Sequence, residues 1–454
     1  MTVLASLVSA AVALAPVQAT APAPDLGGVW EGQISVGGQS IRLVFRIDAA
    51  GNAVMDSPDQ GARNIPIDRP TVEGGVVRFV VPALQGRFEG TRSDDGRTLT
   101  GALSQGGITL PLVLTRTAAT ATLAARPQTP APPFPYRSEV VAFDNPASTN
   151  VRLAGALTLP EGPGPFPAAV LISGTGPQDR DETIEGHKAF AVWADALTRR
   201  GVAVLRYDDR GVGSSTGNHG AATQREFASD VKAAVDWLAA RSDIDPTRIG
   251  LIGHSEGGVF APLAIQDGAR AAWVVTLAGP AVSGGEIVQE QQRRMAVAAG
   301  LPADQVESSN AFQRRIIAAI VNNAADPDAA RREVDALLVA GGRPPAEAAR
   351  IAAAMTGDWY RGMVVFDPAD AIRGIGVPML AVYGEKDLQV PPDQNASVLS
   401  RLKPDAEVVV LPGLNHLFQP ARTGLPTEYG QIETTLDPSV IRTVTDWVAA
   451  RSGL

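Results

Sequence analysis

Two pentapeptides in this chain have the form G-x-S-x-G: Gly213-Ser214-Ser215-Thr216-Gly217 and Gly253-His254-Ser255-Glu256-Gly257. A serine flanked in this way can act as a nucleophile when it stands on a sharp turn from strand to helix. With 46 glycines in 454 residues the pattern also arises by accident, so the surroundings must separate the two. Ser255 directly follows the apolar run RIGLIG and precedes a helix-compatible run, EGGVFAPLAIQDGA. Ser215 is parted from its strand, VAVLRY, by DDRGVG and is followed by the loop-like NHGAATQ. Ser255 is therefore the candidate nucleophile, and Ser215 reads as loop chemistry beside a salt-bridged Asp208-Asp209-Arg210.

A serine hydroxyl needs a base, and the base needs a carboxylate to orient it. The chain holds four histidines. His254 adjoins the serine, which points its ring away from the nucleophile. His219 lies in the loop after Ser215. His187 opens a helix after QDRDETIEG and could line a substrate site. His416, in VVVLPGLNHLFQP, falls just past a late strand, where a parallel sheet gathers its functional loops, and is the best base. Between serine and histidine in chain order, MLAVYGEKDLQVPP offers Asp387 as the acid, with Glu385 as its rival. Two backbone donors must hold a developing oxyanion. The residue after the nucleophile, Glu256, supplies one amide, and Thr175 in Ser173-Gly174-Thr175-Gly176 supplies the other. Gly174 and Gly176 are candidate substrate contacts beside it. The Glu256 carboxylate either binds a cationic substrate group or pairs with an arginine, the plainer alternative.

These residues need a scaffold that brings distant loops together. After residue 137 the chain alternates near-continuous apolar strands (FPAAVLIS, VAVLRY, RIGLIG, AWVVTLA, MLAVYG, EVVVLPG) with amphipathic helices. One helix places Phe190, Trp193, Ala194 and Leu197 on one face and stops at Gly201; another opens on the capping box Thr223-Gln224-Arg225-Glu226. This rhythm predicts a mostly parallel sheet covered on both faces. Residues 283–366 contain only helical runs, such as RRIIAAIVNNA, and form a candidate cap. Residues 25–117 read instead as β, with alternation in IRLVFRID and turn pairs between strands, and predict a small antiparallel barrel or sandwich. Residues 118–137, rich in Ala, Thr and Pro, are a linker or a surface strap.

Composition bounds the rest. Hydrophobic residues at 45% and charged residues at 19% describe an ordinary globular chain, long enough for two domains. The net charge of -9 argues against nucleic acid or an anionic membrane as partner. Absence of cysteine removes disulfides, thiolate metal sites and a cysteine nucleophile. Residues 1–24 read as a secretory leader, apolar but too short for a membrane span, cleaved near Ala19 after Val17-Gln18-Ala19. An exported protein, periplasmic or secreted, is expected, with no stable membrane insertion.

The stretches SGTGPQDRDE, RYDDRGVGSSTG, GHSEGG and GEKDLQVP resemble the α/β-hydrolase superfamily, and within it bacterial exported esterases of the serine aminopeptidase-like group. The likeness extends over roughly residues 140–454 and includes two-domain members with a β-rich N-terminal domain. It implies the α/β-hydrolase fold, a Ser255-Asp387-His416 triad and a carboxylesterase acting on small-molecule esters without metal or organic cofactor. Ser173 stands where many relatives carry the histidine of an HG oxyanion loop. Two other readings remain at this point: a peptidase or amidase using the same triad, with Glu256 or Asp179 holding a substrate amine, and a non-catalytic envelope binding protein.

Overall fold

The computed structural model describes residues 26–36, 39–48, 51–57, 62–82, 86–105, 108–117 and 126–454. The expected leader and its cleavage site, and the first part of the expected linker, lie outside the described residues. The chain divides into two compact units, with the boundary between residues 122 and 123.

The first unit is one nine-stranded sheet, built from β1 (Gly28–Val36), β2 (Gln39–Ile47), β3 (Ala53–Ser57), β4 (Ala62–Ile67), β5 (Thr71–Glu73), β6 (Val76–Val81), β7 (Gly86–Arg92), β8 (Thr98–Gln105) and β9 (Ile108–Thr117). Every described pairing is antiparallel, in the order β4-β3-β2-β1-β9-β8-β7-β6-β5. The alternation seen in sequence is the cause: Val77, Phe79 and Val81 turn inward from β6 while Arg78 and Val80 turn out. Strands β2 and β6 stand five positions apart, about 24 Å across a flat sheet. Yet the Phe45 and Phe79 rings meet at 5.0 Å, and Phe79 stacks on Phe88 at 5.5 Å. The sheet must therefore curl around Trp30, Phe45, Phe79, Phe88, Leu99 and Leu114, all fully buried. Of the two expected forms, a single curled sheet is observed, not two facing sheets.

The second unit carries an eight-stranded sheet. Its strands are β10 (Arg137–Asp144), β11 (Arg152–Leu159), β12 (Phe166–Ile172), β15 (Ala203–Tyr207), β16 (Ile244–His254), β17 (Trp273–Leu277), β18 (Met379–Gly384) and β19 (Glu407–Leu411). A small separate hairpin pairs β13 (Thr183–Ile184) with β14 (His187–Lys188). The large sheet runs β10-β11-β15-β12-β16-β17-β18-β19, or 1-2-4-3-5-6-7-8 counted within it. From β15 onward all pairs are parallel. Helices α1 (Ala189–Arg199), α2 (Gln224–Ala239), α3 (Gly257–Gln266), α9 (Ala369–Arg373), α10 (Pro392–Leu402) and α11 (Pro438–Ser452) accompany it. Strands β12, β17 and β18 are buried at every residue, which explains their unbroken apolar runs. The Thr223–Glu226 capping box opens α2, and Gly201, at φ +91°, follows α1.

Between β17 and the short α9 that precedes β18 come five helices: α4 (Gly284–Ala298), α5 (Ala303–Asn322), α6 (Pro327–Ala340), α7 (Pro345–Met355) and α8 (Asp358–Val365). They enclose a small core of their own around Ile316, Ile320, Val334, Leu338 and Val364. Ile287 of α4 is rooted in the main core. Residues 126–136 lie along the second unit as a strap. Arg126 donates to the carbonyls of Ile432, Glu185 and Gly430, and Gln128 bonds the main chain at Thr435 and Leu436.

Candidate active site

In a parallel sheet the loops leaving the C-terminal strand ends share one edge. Here those loops carry Ser173 after β12, Asp208 after β15, Ser255 after β16, Asp387 after β18 and His416 after β19. Ser255 occupies the tight turn from β16 into α3 with φ +52°, a conformation that costs a non-glycine residue about 1–3 kcal/mol and persists only when its surroundings enforce it. The enforcement is visible. Ser255 N donates to Leu277 O at 2.8 Å, and Ser255 O accepts from Gly258 N at 2.9 Å. A Cβ on Gly253 would meet Gly257 O at 2.2 Å, and one on Gly257 would meet Ile172 O at 2.2 Å. Both neighbours must therefore be glycine for the turn to close.

Asp387 is buried, and its Oδ1 accepts the amides of Gln389 (2.7 Å) and Val390 (2.9 Å). Its Oδ2 lies 2.8 Å from His416 Nδ1. A carboxylate there fixes the proton on Nδ1 and leaves Nε2 as the basic nitrogen. The His416 loop is a knot around Asn415, whose Oδ1 takes the amides of Leu417 and Gln419. Glu385, the rival acid, instead accepts from Gly413 N at 2.8 Å.

The loop after β12 is held from below. Ser173 Oγ donates to Asp209 Oδ1 at 2.5 Å, and Gln178 N donates to Asp209 Oδ2 at 2.9 Å. Burial pushes the Asp209 carboxyl up to about 8 despite those bonds. Gly174 N is spent on Glu182 Oε1, 2.8 Å away, so this candidate substrate contact has no amide to offer. Neither the Thr175 nor the Glu256 amide donates to another described residue. The Glu256 side chain is buried with Gln224 Nε2 at 3.3 Å, and the expected arginine partner is not there. Desolvation drives its carboxyl up to about 7, with Gln224 and Thr175 pulling the other way. Gln224 also reaches Trp359 O of α8 at 3.4 Å, which brings the inserted helices to the rim of the site.

The other residues singled out from the sequence are engaged as follows. Ser215 Oγ donates to Asp208 O at 2.7 Å and accepts Ala154 N at 2.9 Å, a structural bridge. His187 is not a substrate contact: buried in β14, it spends Nδ1 on Thr435 Oγ1 (2.9 Å) and Nε2 on Tyr429 O (3.0 Å). Asp179 closes its own turn, accepting from Asp181 N and from Thr183 N and Oγ1. His219 packs between Phe227 and Trp359, against Gly176. The His254 ring meets partners that sequence reasoning missed: Glu182 Oε1 at 2.8 Å on Nδ1 and His416 O at 3.1 Å on Nε2. Asp208, Asp209 and Arg210 do not pair among themselves; they reach Arg180, Ser173 and Asp230 respectively.

A 1-2-4-3-5-6-7-8 sheet with a serine on the sharp turn after its fifth strand defines an enzyme of the α/β-hydrolase class. The chain belongs to the family described as serine aminopeptidase, S33, which matches residues 183–419, more than half of its length. It is similar to Esterase EstD of Thermotoga maritima, 29% identical over 310 residues, 68% of this chain and 68% of that protein. It is also 39% identical over 106 residues to an uncharacterised protein of Mycobacterium tuberculosis, covering 23% of this chain and 33% of that one. Among solved structures, the α/β hydrolase GrgF from a Penicillium species aligns with a TM-score of 0.45 at 19% identity, over 70% of this chain and all of that one. Among the described residues no helix is long and apolar enough to cross a membrane, and no group of three or more His, Asp or Glu could hold a metal ion.

Proposed function

We propose that this protein is a serine carboxylesterase with Ser255, His416 and Asp387 as its catalytic triad. The observation that carries the reading is the 2.8 Å bond from Asp387 to His416 on the loop edge that also presents Ser255 at positive φ. Ser255 Oγ attacks the ester carbonyl carbon as His416 Nε2 takes the hydroxyl proton. The amides of Thr175 and Glu256 hold the oxyanion, while Asp387 stabilises the imidazolium. Collapse breaks the C–O bond, and His416 returns the proton to the leaving alcohol. Water, deprotonated by the same nitrogen, then releases the acid from the acyl-enzyme. The chain's own residues supply every group this scheme uses.

A second reading, hydrolysis of short peptides or aminoacyl amides, draws on the family's description and on the buried Glu256 carboxyl beside the nucleophile. A panel of p-nitrophenyl esters against aminoacyl anilides separates them. Ester turnover with little anilide turnover is expected; efficient anilide turnover with poor ester turnover would reverse the assignment. We also propose export, on the reading of residues 1–24 as a leader, and recovery of activity in the periplasmic or culture fraction tests it.

A further inference from the structure

His254 precedes the nucleophile, yet its ring is directed into the protein between two other loops. Its side chain is 7% exposed and that of Glu182 is 2% exposed. Glu182 Oε1 lies 2.8 Å from Nδ1, and the same oxygen accepts Gly174 N at 2.8 Å. On the opposite side of the ring, Nε2 faces His416 O at 3.1 Å. A backbone carbonyl can only accept, and a carboxylate oxygen already taking an amide is an acceptor too. Both ring nitrogens therefore need protons. Either neutral tautomer beside an ionised Glu182 would set a nitrogen lone pair against an oxygen lone pair. Glu182 itself sits at φ +48°, held by its amide on Asp179 O at 2.9 Å.

We propose that His254 is a positioning residue: a buried imidazolium, paired with Glu182, that fixes the main chain of His416 and ties it to the oxyanion loop at Gly174. The proposal rests on the serine-hydrolase reading above. Four ionisable groups surround this point. Glu182 comes from the loop before β13 and Asp387 from the loop after β18. His416 comes from the loop after β19, its ring 4.9 Å from that of His254, and Asp209 lies near Glu182 from the loop after β15. Glu182 faces Nδ1 of His254 at 2.8 Å, and Asp387 faces Nδ1 of His416 at 2.8 Å. When His416 takes the serine proton, each of the two rings therefore has its own carboxyl partner, and neither positive charge is left unpaired.

Two experiments on the full-length protein test this. Long-range proton–nitrogen spectra of histidine-labelled wild-type protein at pH 8 should show one histidine with both nitrogens protonated. Burial lowers the pKa of His187 to about 4 and that of His219 below its usual range, so neither is expected to give that signal. Finding only neutral imidazoles would overturn the proposal, and this arm needs no variant to fold. In kinetics, His254→Gln and Glu182→Gln should each lower kcat by about 10- to 100-fold, as small misplacements of catalytic groups do, with KM nearly unchanged. Rates are normalised to sites titrated by a fluorophosphonate, so a smaller folded fraction cannot mimic the effect. The double variant should fall no further than the worse single one. Wild-type kcat per titrated site in either variant would overturn the proposal. If the wild type is not labelled at Ser255, the serine-hydrolase reading itself fails, a distinguishable result.

Discussion

In the loop after β15, the Ser215 hydroxyl donates to one backbone carbonyl and accepts one backbone amide, both in the buried interior. In the turn after β16, Ser255 is held at positive φ by its own main chain, and its hydroxyl has no such engagement among the described residues. The two share a five-residue pattern. At Ser215 the glycines on either side serve a loop that bridges β11 to β15. At Ser255 they remove Cβ atoms that would strike Gly257 O and Ile172 O. A pattern that permits a sharp turn becomes chemistry only where a strand and a helix force that turn.

The comparison is broken most easily by exchanging the two serines for alanine. Ser255→Ala should lower kcat/KM for a p-nitrophenyl ester by about 10⁵- to 10⁶-fold while leaving the fold intact. Ser215→Ala should keep the activity but cost about 1–3 kcal/mol in denaturant unfolding, because Ala154 N is left buried without its acceptor. Loss of activity in the second variant and not the first would invert the assignment.

The two carboxylates after β18 give the next contrast. Asp387→Asn should reduce kcat by about 10⁴-fold, since an amide no longer fixes the proton on His416 Nδ1. Glu385→Gln, at a side chain that accepts from Gly413 N and not from His416, should leave kcat near the wild-type value. Equal effects in steady-state assays would remove Asp387 from its role.

A smaller effect concerns stability against pH. The Glu256 carboxyl is pushed from 4.5 up to about 7 by burial. The folded state thus holds a proton that the unfolded state has lost. The stabilisation is complete below about pH 4.5 and is lost as pH rises through about 7, a change of about 3 kcal/mol. Asp209, pushed to about 8, has the same sign, so part of the slope must survive in any Glu256 variant. Glu256→Gln should flatten the fall in unfolding free energy between pH 5 and 8. An unchanged slope would mean that this carboxyl is ionised in the folded protein.

The strands of the parallel sheet, the helical stretch before β18 and the loop positions of Ser255, Asp387 and His416 could be read from the chain because each has a local signature: an apolar run, a helical spacing, a loop just past a strand; the order of the strands in the sheet could not. Glu182 had none. It sits in QDRDETIEG, where four other carboxylate or arginine side chains looked equally solvated, and only the tertiary meeting of three loops selects it. His254 was set aside as the base from its place beside the serine, but that place alone does not reveal that Glu182 and His416 O wait on its two sides. His187 was misplaced for the same reason, since its partners Tyr429 and Thr435 lie more than 240 residues away. The Glu256 carboxyl was expected to find an arginine; the neutral Gln224 meets it instead, and with no cation to offset burial its proton affinity rises.

The most direct test is to treat the full-length protein with a fluorophosphonate at neutral pH and map the modified peptide by mass spectrometry. A single adduct on Ser255, absent from Ser255→Ala and retained in Ser215→Ala, is the expected result. An adduct on Ser215, or no adduct on folded wild-type protein, would contradict it.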